Sequence, residues 1–331
     1  MNRRPRAAVV MPPDLLPRVF TTDAMRHLRE LVELTGPVSP DWADVSGRNA
    51  EIVITGWDTA PLDQAVLDTM TSLRAIFHAG GSVKTLISPV AWERGITVAT
   101  SASVNAVPVA EYCLAMVLLA GKNVLMAANR YGNSTDRRWL TEGYSQTGNN
   151  GRTVGIVGAS RTGRHLAKLL TSCNVKVLCT DPYAIDDQIE SLGMTLEPLD
   201  RLLSESSIVS LHAPHTAATT RMIGAQELRL MTDGATLINT ARAALVDQEA
   251  LLVEVVSGRL NAVLDVTEPE PLLRDHPLRA LPNVLITPHV AGSCGNELGR
   301  LGAHVVEEIA RYLSGDELID GVTLADLERI A

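Results

Sequence analysis

Apolar residues fall along this chain in short runs separated by stretches of helical spacing. Ala7–Met11, Glu51–Thr55, Leu73–Phe77 and Ile96–Thr100 have the length and density of strands, whereas Thr21–Leu34 spaces Met25, Leu28, Leu31 and Val32 as a helix and Asp63–Met70 reads as another. Strands alternating with helices at this interval predict a small parallel α/β domain over roughly the first hundred residues. A long helix is predicted from Val104, with Pro108 in its first turn, where a missing N–H costs nothing. Its apolar positions Val109, Cys113, Met116, Val117, Ala120 and Val124 cover a wide face, which implies burial. Arg130–Gly151 is polar and rich in Gly and Asn, and reads as an irregular arm with Trp139 as its large anchor.

A second alternating series follows. Thr153–Val157, Val175–Thr180, Ile208–His212, Thr236–Asn239, Ala262–Val266 and Val284–Thr287 read as strands. Arg164–Thr171, Ala184–Leu192, Leu199–Leu203, Ala225–Met231 and Gln248–Ser257 read as the helices that separate most of them. A last helix, Asn296–Leu313, is expected to lead back to the first domain. The predicted organisation is one α/β domain, residues 102–292, inserted in another made of residues 1–101 and 293–331.

The inserted domain opens on V-G-I-V-G-A-S-R-T-G, Val154–Gly163. A buried strand, a turn of small residues and a helix start form the context in which a Gly-rich turn binds a dinucleotide pyrophosphate. Gly158 lets the backbone leave the strand sharply, and Gly163 lets the helix lie close to the sheet. The helix N-terminus offers N–H groups and partial positive charge to phosphate. Ser160 stands where the G-x-G-x-x-G pattern has its middle glycine, a small hydroxyl expected to contact a pyrophosphate oxygen. Asp181, about 18 residues beyond Gly163, ends the next strand, where an acid accepts hydrogen bonds from the adenosine ribose. The same carboxylate repels a 2′-phosphate, so NAD is favoured over NADP. A turn or helix-cap role before Pro182 is the plainer reading of Asp181.

Composition narrows the partners. The chain has 331 residues, 46% hydrophobic and 20% charged, enough for two ordinary globular cores. A net charge of −9 gives no basic footprint for nucleic acid. The four cysteines form no C-x-x-C pair and read as reduced thiols, and no metal is expected. Ala7–Met11 is too short for a signal-peptide core and is broken by Pro12-Pro13; Tyr112–Ala120 is half a membrane span. No membrane is expected, and a cytoplasmic protein is.

Three later strands run into chemically active side chains. Thr236–Asn239 leads to Arg242, Ala262–Val266 to Glu268 and Glu270, and Val284–Thr287 to His289. In an open α/β sheet the strand carboxyl ends face the ligand crevice. An arginine there grips a substrate carboxylate and polarises a carbonyl, a histidine gives or takes the hydroxyl proton, and a carboxylate orients the imidazole. Singly, Arg242 reads as well as a surface residue, Glu270 as a loop acid and His289 as a core histidine. Together, downstream of one nucleotide turn, they point to oxidation of a 2-hydroxy acid.

From about Leu73 to Leu313 the chain resembles the D-isomer-specific 2-hydroxyacid dehydrogenases, which include glyoxylate/hydroxypyruvate reductases and phosphoglycerate dehydrogenases. The likeness is carried by N-A-V-P-V-A-E (Asn105–Glu111), V-S-L-H-A-P-H-T (Val209–Thr216), L-I-N-T-A-R-A-A-L-V-D (Leu237–Asp247), L-D-V-T-E-P-E-P-L (Leu264–Leu272) and I-T-P-H-V-A-G (Ile286–Gly292). It implies a Rossmann-type NAD-binding domain inserted in a flavodoxin-like α/β substrate domain. It also implies an NAD-dependent enzyme interconverting a small 2-keto acid and its D-2-hydroxy acid, working as a homodimer. By the family pattern Arg242 takes the substrate carboxylate, His289 is the acid–base and Glu270, not Glu268, its partner. Backbone groups of Gly80, Gly81 and Ser82 are implied to hold the substrate carboxylate. Gly158, Ser160, Arg161, Thr162, Gly163, Asp181, His212, Ala213, Thr240, Ala241, Asp265, His289 and Gly292 are implied to line NADH. The sequence departs from the pattern at Ser160, at Ala243 in place of the usual glycine, and at Lys84 and Thr85 in the substrate loop. The glyoxylate/hydroxypyruvate branch is the most similar. An NAD(H)-sensing protein of the same fold, with little turnover, is the alternative from another class.

Overall fold

Strands buried on both faces read as near-continuous apolar runs, and that explains the legibility of most of this chain. The computed structural model describes residues 3–45, 49–133 and 147–328. Contacts divide the chain into two units, Met1–Ala106 with Ser293–Ala331, and Val107–Gly292. The sequence reading puts the first break five residues earlier, at the start of a helix, Ala102–Gly121, that runs through it.

The first unit holds five parallel strands, β1 (Arg6–Val10), β2 (Glu33–Leu34), β3 (Ile52–Thr55), β4 (Ala75–His78) and β5 (Thr97–Ala99), in the order β2-β1-β3-β4-β5. This is the flavodoxin-like order. Alternation divides each strand between two cores. Ala7, Val9, Ile54 and Phe77 face Leu301, Val305 and Ile309 of helix Leu298–Ser314. Ala8, Val10, Val53 and Ile76 face Leu62, Leu67 and Ala91 on the other side.

The second unit holds seven parallel strands, β6 (Arg152–Val157), β7 (Val175–Thr180), β8 (Met194–Leu196), β9 (Ile208–Leu211), β10 (Thr236–Asn239), β11 (Asn261–Leu264) and β12 (Val284–Ile286). Their order is β12-β11-β10-β9-β6-β7-β8, so the sheet is doubly wound and its direction of growth reverses between β6 and β9. That reversal is where such sheets bind ligands, and the order is the Rossmann one with a further strand. Leu178, Val209, Leu211, Leu237 and Leu264 fill one face. Val154, Ile156, Cys179, Ile238 and Val263 fill the other, with Ala110, Cys113 and Val117 of helix Ala102–Gly121 laid on them. That helix is long and apolar enough to cross a membrane, and its Ala110, Cys113 and Val117 face is buried on this sheet.

Several boundaries differ from expectation. Because the helix begins at Ala102, Pro108 lies inside it rather than in its first turn, and the Val104 carbonyl loses its usual i+4 N–H donor. The helix stops at Gly121, Asn123 adopts a left-handed φ of 53°, and a second helix covers Val124–Asn133. Arg130–Asn133, expected in the irregular arm, are the end of that helix. Trp139 and most of the arm lie outside the described residues. Leu119 and Val124 are partly exposed, so the described residues do not fully cover the wide apolar face. Strands β2 and β8 were not expected. Both are short edge strands, defined by pairing to a neighbour (Arg6 with Glu33, Val177 with Met194) rather than by an apolar run.

Candidate active site

The turn after β6 has no room for a side chain at Gly158 or Gly163. Gly158 has φ +99°, and a Cβ there would lie 2.6 Å from the Ala213 nitrogen and 2.8 Å from the His212 carbonyl carbon. A Cβ on Gly163 would lie 2.3 Å from the Gly158 carbonyl oxygen. The next helix, Arg161–Leu170, therefore starts against the strand end, with its N-terminal amides at the sheet's carboxyl edge. Ser160 is its N-cap: Oγ accepts the Gly163 N–H at 3.3 Å. Its hydroxyl thus has a structural task, the one Ser performs best at this position. Arg161 and Thr162 are the first two helical residues.

Asp181 follows β7 and closes the turn from the neighbouring strand. Oδ2 accepts the Ala159 N–H at 2.8 Å and Oδ1 the Tyr183 N–H at 2.8 Å, while the Gly158 N–H reaches the Thr180 carbonyl at 2.8 Å. The turn role of Asp181 is real, and each oxygen keeps a further lone pair for a ribose hydroxyl. His212 borders the turn only through its backbone. Its ring is buried with Nε2 2.9 Å from the Ser210 hydroxyl, and burial pushes its pKa down to about 4. Ser210 and His212 share a face because strand side chains repeat every two residues.

These residues fit a dinucleotide: two close approaches that only glycine allows, a helix N-terminus at the strand edge, and an acid at the end of the second strand of the unit.

The remaining groups come from the carboxyl ends of β10, β11 and β12, which are adjacent in the sheet. After β10, the Asn239 side chain accepts the Ala241 N–H at 3.1 Å and donates to the Arg242 carbonyl at 2.9 Å, closing the Thr240–Arg242 loop on itself. Asn239 was not singled out from the sequence; a polar residue ending an apolar strand was the available signal. The Arg242 guanidinium donates to the Ala241 carbonyl at 2.7 Å. Burial lowers its pKa and the Glu270 carboxylate raises it, so it remains a cation in a partly dry setting. Thr240 is buried, its hydroxyl 3.2 Å from Cys113 Sγ.

Beyond β11, Asp265 is buried and its two carboxylate oxygens accept the Val290 and Ala291 N–H groups, both at 2.9 Å. This ties the β11 end to the loop after β12. Across that junction His289 Nδ1 lies 2.8 Å from Glu270 Oε1, with both side chains about half exposed. A carboxylate only accepts, so Nδ1 carries the proton of this bond. Glu268 is held elsewhere, its backbone N–H and carbonyl both bonded to the Gln248 side chain. The structure therefore brings Arg242, Glu270 and His289 to one sheet edge, and of the two acids it is Glu270 whose carboxylate meets His289.

In the first unit, Gly80–Ser82 follow β4. A Cβ on Gly80 would meet His78 Nε2 at 2.3 Å and Trp57 Nε1 at 3.1 Å, and one on Gly81 would meet the Asn105 amide at 3.0 Å. His78 is buried, Nδ1 is 2.9 Å from the Thr55 hydroxyl, and burial lowers its pKa to about 4. Lys84 and Thr85 are exposed further along the loop.

The chain is similar to known proteins over most of its length. Residues 114–291 match the family described as D-isomer specific 2-hydroxyacid dehydrogenase, NAD binding domain. A D-3-phosphoglycerate dehydrogenase of Archaeoglobus fulgidus is 30% identical over 268 residues, 81% of this chain and 50% of that protein. The chain thus spans about half the length of the phosphoglycerate dehydrogenases it matches. A glyoxylate reductase of Korarchaeum cryptofilum is 33% identical over 318 residues, 91% of this chain and 94% of that one. Among solved structures, a phosphoglycerate oxidoreductase from Rhizobium etli superposes with a TM-score of 0.78 at 28% identity, over 96% of this chain and 97% of that one. The D-mandelate dehydrogenase of Rhodotorula graminis, at 21% identity, shares the fold with a TM-score of 0.82, over 96% of this chain and 97% of that one. With the nucleotide turn, the three strand-end residues and these likenesses in agreement, the chain belongs to the D-isomer-specific 2-hydroxyacid dehydrogenase family.

Proposed function

We propose that this protein is an NAD-dependent reductase of small 2-keto acids, interconverting them with the D-2-hydroxy acids. The observation that carries the reading is the His289–Glu270 pair, 2.8 Å apart, at the same sheet edge as Arg242. Bound NADH supplies the hydride. Arg242 binds the substrate carboxylate through two parallel N–H bonds and draws charge from the carbonyl. His289 Nε2 delivers the proton to the carbonyl oxygen in reduction and removes it in oxidation, while Glu270 holds the ring and offsets its positive charge. We also assign the Gly80-Gly81-Ser82 loop to carboxylate binding; at Gly80 a Cβ would collide with His78, so only glycine fits there. NADH is held by the Gly158–Gly163 turn and by Asp181, whose charge disfavours the 2′-phosphate of NADPH.

Within the family we favour the glyoxylate/hydroxypyruvate reductase branch. L-D-V-T-E-P-E-P-L and the near full-length likeness to a glyoxylate reductase support it. Partly exposed Leu119 and Val124, with exposed Tyr131 beyond them, support a homodimer through this face. We infer a cytoplasmic location from the free thiols and the fold. Glyoxylate, hydroxypyruvate, pyruvate and longer 2-keto acids, each offered with NADH, test the reading. NADH consumption on at least one is expected. Binding without consumption on all of them would favour a sensor of NAD(H).

A further inference from the structure

The loop that carries His289 is held from behind by a hydrogen-bond chain whose far end has no part in the roles assigned so far. Asp265 accepts four bonds from the 287–291 segment. Oδ1 takes the Thr287 hydroxyl at 2.6 Å and the Val290 N–H at 2.9 Å, Oδ2 the Ala291 N–H at 2.9 Å, and its carbonyl the His289 N–H at 3.0 Å. Because an ionised carboxylate only accepts, the Thr287 proton is committed to Asp265. Tyr112 Oη lies 2.7 Å from the same threonine oxygen and is therefore the donor. The chain has one polarity, Tyr112 to Thr287 to Asp265. Burial raises the phenol pKa, against the Thr287 bond and with the Asp265 charge, so Tyr112 keeps its donor proton at neutral pH.

The conformation being held is an unusual one. His289 has φ +54°, in the left-handed region that residues with a Cβ rarely occupy. Released, the segment would relax toward ordinary φ values and carry the imidazole off Glu270. Clamps on both sides of His289 prevent this, Thr287 before it and Val290 and Ala291 after it, all on one buried carboxylate. Tyr112 comes from a different element, the core helix Ala102–Gly121, and fixes the hydroxyl rotor of Thr287.

We propose that Tyr112 is a positioning residue for His289, acting through Thr287 and Asp265 to hold the 287–291 loop where the imidazole meets Glu270. The proposal rests on the acid–base role assigned to His289 above. A tyrosine that merely fills space would affect melting and nothing else.

Tyr112→Phe removes the one hydroxyl and keeps the ring. It should lower kcat for 2-keto acid reduction by about three- to tenfold, the scale of one lost hydrogen bond. Keto-acid KM and NADH affinity by fluorescence should each move by less than about twofold, since the loss falls on the step rather than on binding. Amide hydrogen exchange at residues 289–291 should speed up while the melting temperature stays near that of the parent. Tyr112→Phe/Thr287→Val should be no slower than Thr287→Val alone, because the tyrosine acts through the threonine. Unchanged exchange together with unchanged kcat in Tyr112→Phe would overturn the proposal, as would additive losses in the double variant. Exchange reads the loop without turnover. A parent protein that reduces no 2-keto acid would therefore refute the activity, and exchange would still decide whether Tyr112 holds the loop.

Discussion

Adding one methyl group to the nucleotide turn tests the site's architecture. In Gly163→Ala the new Cβ would stand 2.3 Å from the Gly158 carbonyl oxygen and 3.2 Å from Ile156 Cγ2. Ordinary contact needs roughly 3.5 Å, so the helix start and the strand end must separate by about 1 Å. Helix Arg161–Leu170 does not slide freely, because Leu166, Ala167 and Leu170 are packed on Val154, Ile156 and Cys179. Overpacking of this kind costs about 1–3 kcal/mol, read as a lower midpoint in urea unfolding. The same displacement lengthens hydrogen bonds from the helix amides to a phosphate, and charged bonds of this sort contribute about 1.5–3 kcal/mol. NADH affinity, followed by fluorescence titration, should accordingly fall by about ten- to a hundredfold. Gly132→Ala is the control. It lies exposed near the end of helix Val124–Asn133 with no described atom within 4 Å of the new Cβ, and should leave stability unchanged or raised by up to about 0.5 kcal/mol. Parental stability and parental NADH affinity in Gly163→Ala would show that helix and strand are not held together as described.

Arg242→Lys should lower kcat/KM for a 2-keto acid by about ten- to a hundredfold, because an ammonium cannot reproduce the two-pronged fork on a carboxylate; unchanged kinetics would remove Arg242 from substrate binding. Asp181→Ala should erode the preference for NADH over NADPH, measured as the ratio of kcat/KM values, and an unaltered ratio would leave Asp181 as a turn residue only. His78 and His212 both have pKa values lowered from 6.5 to about 4 by burial. Between those values the unfolded chain binds protons that the folded chain refuses, so the stability each contributes is fully present above pH 6.5 and is lost as pH falls toward 4, about 3 kcal/mol apiece. His304 works in the opposite direction. Burial lowers its pKa, but the contact with Asp320 and the charges of Asp320, Glu308 and Glu307 together raise it, so its contribution is present below pH 6.5 and fades as pH rises. Urea unfolding of His212→Asn at several pH values should therefore show a shallower loss of stability in acid than the parent; an equal slope would contradict the assignment.

Much of this was legible because parallel strands covered on both faces are written as near-continuous apolar runs, such as Ala7–Val10 or Ala75–Phe77. Arg242 and His289 sit three positions past strands β10 and β12 and were located that way, whereas Asp265, inside the run expected at Ala262–Val266, and the choice of Glu270 over Glu268 came from the family resemblance. Edge strands escaped because Glu33–Leu34 and Met194–Leu196 are short and set by their partners. Pro108 misled because proline marks a first turn more often than a second one, and here the helix starts earlier. Ser160 reads as a missing glycine in one dimension and as a helix cap in three. The bond between Tyr112 and Thr287 joins residues far apart in the chain and was not legible at all.

The central claim is that His289 and Arg242 act on a 2-keto acid while the nucleotide turn holds NADH. Its most direct test is reduction of glyoxylate, hydroxypyruvate or pyruvate with NADH deuterated at the transferring position, in the parent and in His289→Ala. Deuterium should appear at C2 of the hydroxy acid, with D configuration where C2 is a stereocentre, and kcat should fall by about a hundredfold or more in His289→Ala. Deuterium transfer at the parental rate in that variant, or no transfer to any 2-keto acid by the parent, would contradict the account.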